Sequence, residues 1–198
     1  MVRSKEANQR IRTEQRKRIL DAARIVFARK GLAATMDDIA ERAGVSHGLA
    51  YRYFDSKTAL FSDLVLEDLR EPTGWLDEFV EEKSAPIDKI RQMITGFVEG
   101  RREHPERYHL LAQVLFDESA PIDLRRRVAQ RGQIIRAVLR RLIISGQNAG
   151  EIASGDPDQL VRAVFAALDG LTALHRFDPA TYRVDFPDAE ILMRMLKP

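Results

Sequence analysis

Between Gly44 and Lys57 the chain reads GVSHGLAYRYFDSK, which gathers a serine, a histidine, two tyrosines and a lysine around two glycines. These groups donate and accept hydrogen bonds, but they do not make a reaction centre. The chain has no cysteine, which excludes disulfides, thiolate metal sites and cysteine nucleophiles. It has no phosphate-loop glycines, no G-x-S-x-G turn and no clustered acid–base pair, so the spacing argues against an enzyme. His104 and His109 have no carboxylate or cysteine at ligand spacing, so neither a metal nor a cofactor is expected.

The elements that must position those groups read as helices. From Thr13 onward, Ile19, Ala22, Ala23, Val26 and Phe27 fall at i, i+3, i+4, i+7 and i+8, one apolar face that stops at Gly31. Thr35 opens a second helix with Asp38 three residues on, an acidic form of the capping box. Its buried side is Met36, Ile39, Ala40 and Ala43, and Gly44 supplies a left-handed cap. Ser46 caps a third helix whose inward residues are Ala50 and Phe54. A fourth runs from Ser56 to about Arg70 with Leu60, Phe61, Leu64 and Val65 buried.

Helix, glycine turn, helix is the arrangement that lays a second helix in the major groove of DNA. Ser46, His47 and Gly48 stand at the end of that helix that reaches base edges, Gly48 allowing close backbone approach. Tyr51 and Tyr53 have the reach to hydrogen-bond phosphates. Lys57 adds a cation at the next helix start, and Thr35 a hydroxyl and an amide at the second. Charge agrees with this: residues 1–57 carry a net +6 and the rest −4, together the +2 of the whole chain. Arg3, Arg10 and Arg12 fit either a minor-groove arm or a plain solvated tail. The LRRRVAQR run at 124–131 spreads its arginines around a helix and reads as a solvated face.

Residues from about Thr13 to Lys57 resemble the DNA-binding segment of the TetR family of bacterial transcriptional regulators. The run that carries the resemblance is AARIVFARKGLAATMDDIAERAGVSHGLAYRYFDSKTALF, with the Thr35 start, the Ala43-Gly44-Val45-Ser46 turn, Tyr51, Phe54 and Lys57. Ala50 departs from it, since the family carries a larger aliphatic residue there. The rest of the chain is similar only in layout. Its GDPDQLVRAVFAALDGL segment resembles the penultimate helix that pairs subunits.

The resemblance implies an all-α fold, with a three-helix helix-turn-helix domain joined by a long helix to a helical ligand-binding and dimerisation domain. The boundaries expected are 1–57 for arm and DNA-binding domain, 58–70 for the connecting helix and 71–198 for the remainder. The polar joint lies around Pro72, Gly74 and Pro86. The connecting helix reads as the only continuous rigid element linking the two parts. Also implied are a homodimer, a palindromic double-stranded operator and a small-molecule effector whose binding releases DNA. The helix from Asp156 is apolar on two faces, so a stripe of Leu160, Val164, Leu168 and Leu171 is expected at the subunit seam. Phe97, Tyr108 and Phe165 are candidates for the ligand pocket. Trp75, Phe79 and Met93 read as mostly core. No apolar run reaches the ~18 residues of a membrane span, and the cytoplasm, with nucleoid association when DNA-bound, is the compartment expected. The competing expectation is a constitutive DNA-binding or architectural protein of the same fold without an effector.

Overall fold

The computed structural model describes residues 2–70 and 73–198; Pro72 and the side chains of Arg3 and Trp75 lie outside the described residues. Among the described residues every regular element is a helix, and no helix is long and apolar enough to cross a membrane. The chain divides into two compact units. One holds the residues up to Arg70 together with Leu110–Arg125, the other Glu71–His109 with Arg126–Pro198.

The first unit contains α1 (Val2–Lys30), α2 (Met36–Ala43), α3 (His47–Tyr53) and α4 (Lys57–Asp68). Helix α1 starts well before Thr13, so the segment expected as an arm is helical, with Arg10 and Arg12 exposed on it. The apolar faces fold inward as their periods require. Ile19, Ala23, Phe27, Ile39, Ala50, Leu60, Phe61, Leu64 and Val65 are fully buried, and the Phe27 and Phe61 rings meet edge to face at 5.0 Å. Burying each large side chain contributes about 1.5–3 kcal/mol, which is what holds helices as short as α3 in place. A polar tie supplements this: Arg24 of α1 donates both ways to the buried Asp68 carboxylate of α4, at 2.6 and 2.5 Å.

The second unit contains α5 (Trp75–Glu81) and α6 (Pro86–Glu103). The chain continues through α7 (Pro105–Phe116), α8 (Ile122–Asn148), α9 (Pro157–Leu174), α10 (Tyr182–Asp185) and α11 (Ala189–Met193). Helix α5 stands inside the stretch expected as a polar joint, because Leu76 and Phe79, three apart, are buried in the core of this unit. Helix α4 lies wholly in the first unit, while α7 changes unit after His109 and α8 after Arg125. The helix at 58–70 is therefore not the only continuous helical element between the two parts.

Two residues of the stripe expected at a subunit seam face inward. Val164 and Leu168 are fully buried in the core of the second unit beside Val161, and Leu160 and Leu171 pack partly buried against it. A side chain with no surface in its own chain has none to offer a partner. The outward side of α9 carries Ala166, Gly170, Ala173 and Leu174 instead, and Phe177 follows one turn on, 84% exposed.

Candidate nucleic-acid interface

Helix α2 begins at a capping box. The Thr35 hydroxyl accepts from the Asp38 amide at 3.1 Å, and the Asp38 carboxylate accepts from the Thr35 amide at 2.9 Å. Lys30 at the end of α1 adds an ion pair to Asp38 at 2.6 Å. The Thr35 hydroxyl proton is not used by the cap. The Thr35 amide, also expected as a donor, is taken by Asp38.

Gly44 ends the helix with φ 61° and ψ 40°. Its N–H reaches the Glu41 carbonyl and the Val45 N–H the Ala40 carbonyl, each at 3.0 Å, which satisfies carbonyls that would otherwise be orphaned. A Cβ built at Gly44 would stand 2.6 Å from the Arg18 guanidinium, so both the backbone conformation and the space favour glycine.

Two residues later Ser46 caps α3, its side chain accepting from the Leu49 amide at 3.2 Å. Ala50 and Phe54 take the buried side, which leaves Ser46, His47, Gly48, Tyr51 and Arg52 exposed. The arrangement therefore brings Ser46, His47, Gly48 and Tyr51 together on the outer part of α3. Tyr53 is half-buried and, two residues from Tyr51, lies on the other side of the helix. Ala50 is fully buried despite its small size. Lys57, at the first position of α4, is half-buried and its ammonium donates to the Leu32 carbonyl.

The contacts of His47 with Asp37 and of Lys57 with Leu32 were beyond sequence reasoning. Asp37, in the first turn of α2, holds the Nδ1 atom of His47 across the glycine turn. The His47 ring also lies against Tyr51, with centroids 4.7 Å apart and planes tilted by 45°. The pairs Asp37–His47 and Lys57–Leu32 are too far apart in sequence for any helical periodicity to signal them.

The aromatic residues expected at a ligand pocket lie in the second unit. Phe97 and Phe165 have ring centroids 5.5 Å apart. Tyr108 is reached through Arg101, whose buried guanidinium sits 4.3 Å from the Tyr108 ring centroid and 3.0 Å from the Asp169 carboxylate.

A short exposed helix, seated by a left-handed glycine turn behind a capped helix, defines a helix-turn-helix DNA-binding protein. Residues 19–64 match the family model described as bacterial regulatory proteins, tetR family. The chain is 27% identical over 149 residues to the uncharacterised HTH-type transcriptional regulator YhgD of Bacillus subtilis, covering 73% of this chain and 75% of that one. It is 28% identical over 106 residues to the HTH-type transcriptional repressor KstR2 of Mycolicibacterium smegmatis, covering 53% and 50%. Among solved structures, the MbdR regulator from Azoarcus sp. CIB superposes with a TM-score of 0.73 at 26% identity, over 91% of this chain and 93% of that one. Over residues 19–64 the chain is therefore similar to the DNA-binding segment of the tetR family of bacterial regulatory proteins, and the relatives it matches are named transcriptional regulators.

The Asp38 cap carries a pH signature. Hydrogen bonds from Lys30 first, then from Thr35, lower its pKa from 3.8 to about 2. A carboxylate with a depressed folded-state pKa stabilises the fold above its unfolded value and loses that contribution as pH falls through the folded one. Asp38→Asn should therefore lower the urea midpoint by a constant amount from pH 7 to about 4, and by a shrinking amount between pH 3.8 and 2. A gap that stays constant down to pH 2.5 would show that the carboxylate's charge is not what the cap uses.

Proposed function

We propose that the protein is a homodimeric repressor that holds a palindromic operator through α2, α3 and the start of α4, and releases it when a small molecule binds the second unit. The observation that carries the DNA-binding face is the single exposed surface formed by Ser46, His47, Gly48 and Tyr51, opposite buried Ala50 and Phe54. In this reading Ser46, His47 and Gly48 face base edges. Tyr51 and Tyr53, on opposite sides of α3, reach phosphates on opposite walls of the groove, and Thr35 and Lys57 add contacts at the two flanking helix starts. The boundaries that suit this division of labour are 1–57 for reading, 58–70 for connection and 71–198 for ligand binding and pairing.

The repressor sense is supported by the name of the KstR2 relative. The effector region in this reading includes Phe97 and Phe165, whose rings pack together, and Tyr108, whose ring lies against the buried Arg101. A protein with this task works in the cytoplasm and on the nucleoid when bound. Lys57→Ala tests the DNA face. Losing one phosphate contact per subunit, two per dimer, should flatten the slope of log affinity against log salt by about 1.8. A fluorescence titration giving the wild-type slope would take Lys57 out of the interface.

The pairing surface we propose is the outward side of α9. Ala166, Gly170, Ala173, Leu174 and Phe177 recur at helical period there, and a Cβ at Gly170 would meet nothing within 4 Å in its own chain. A helix-interior glycine costs about 1 kcal/mol against alanine, a cost that close approach of a partner helix would offset. Ile134 and Ala137 extend an exposed apolar surface on α8. Leu174→Glu should then sediment as a monomer at micromolar concentration while melting like the wild type. Dimers that persist in this variant would place the pairing surface elsewhere.

A further inference from the structure

We infer that Asp37 sets which base His47 reads: it fixes the imidazole so that Nε2 is a hydrogen-bond acceptor and pairs with the exocyclic amino group of an adenine or a cytosine. This rests on the reading of α3 as the groove-facing helix. It adds a positioning residue on α2 and the chemical class of the base it selects.

For the neutral imidazole, the geometry fixes the tautomer. An ionised carboxylate can only accept, so the Nδ1 atom of His47 that meets Asp37 must carry the hydrogen. In a neutral imidazole the other nitrogen then holds the lone pair. Tyr51 limits the remaining freedom, since the His47 ring packs against it with centroids 4.7 Å apart. The imidazole is thus contacted by a carboxylate on one side and a phenol ring on the other before DNA arrives.

Major-groove edges make an acceptor at Nε2 informative. Adenine N6 and cytosine N4 are the donors there, while guanine and thymine present acceptors toward the protein. An Nε2 lone pair set against guanine O6 or thymine O4 would leave two acceptors facing each other. Without Asp37 the ring can take either tautomer and satisfy either class of edge.

Asp37 also needs an explanation of its own. Its side chain is 76% exposed in the first turn of α2, close to where a phosphate would lie. The start of a helix favours a carboxylate, but a phosphate repels one. Engagement by the His47 N–H reduces that repulsion and gives the carboxylate a task at the interface.

The test combines base analogues with three proteins at pH 8: wild type, His47→Ala and Asp37→Ala, each first shown to melt like wild type. A binding-site selection on random duplex supplies the half-site. Each adenine in it is then replaced by purine and each cytosine by the analogue lacking the N4 amino group. In a parallel set, 7-deazapurines remove the N7 acceptors. The wild type should lose about tenfold in affinity when one particular amino group is deleted. His47→Ala should lose nothing further from that deletion, and Asp37→Ala less than about threefold. If His47 couples to an N7 acceptor rather than to an amino group, or if Asp37→Ala keeps the full tenfold penalty, the inference is wrong while the DNA-reading assignment stands. Failure of the wild type to select any duplex sequence would overturn both.

Discussion

The reading head depends on one left-handed residue. Helix α3 is seven residues long, too short to persist by itself in water, and its place is set by what precedes it. At Gly44 the backbone turns through φ 61°, closes two hydrogen bonds onto the end of α2 and delivers Ser46 in position to cap α3. A side chain at that residue would cost roughly 1–2 kcal/mol in backbone conformation. It would also displace the Arg18 guanidinium. From the angle fixed at this turn follow the burial of Ala50 and Phe54, the exposure of His47 and Tyr51, and the approach of His47 to Asp37. The turn converts a local conformational preference of one residue into the orientation of the exposed face of α3.

What could be read from the residues beforehand is what local physics determines. The Thr35–Asp38 cap, the Gly44 turn, the Ser46 cap and the apolar faces of α1, α2 and α4 each depend on residues within a few turns of one another, and all of them are present. Contacts that join distant segments left no such trace. Arg24 and Asp68 stand 44 residues apart on different helices, and neither residue type signals a buried pair. The Leu32 carbonyl that receives Lys57 is a backbone group, invisible to any side-chain pattern. Helix α5 was hidden by the prolines and glycine around it, which mark turns more strongly than two apolar residues mark a helix.

Helix α9 shows a different limit. Two stripes with helical period run along it, one of large residues and one of small ones. Hydrophobicity favoured Val164 and Leu168, but large aliphatic side chains are what a chain buries first in its own core. Alanine and glycine register weakly as apolar, so a pattern of hydrophobicity gives the outward stripe little weight. The second unit also buries polar groups that periodicity could not place. His109 is enclosed beside His175, with ring centroids 5.6 Å apart, and burial above all pushes its pKa down to about 4. Arg101 is buried with its guanidinium shared between Tyr108 and Asp169. These groups lie beside a core that is otherwise aliphatic and aromatic.

Amide hydrogen exchange with and without a selected duplex tests most directly whether the surface that the Gly44 turn creates holds duplex DNA. Protection should concentrate in residues 35–57, with the backbone amides around Ser46, His47 and Gly48 slowed most on DNA binding. If those amides exchange at the same rate in the complex, and protection gathers instead on the arginine-rich stretch of α8 at 124–131, the glycine turn does not build the DNA-binding face.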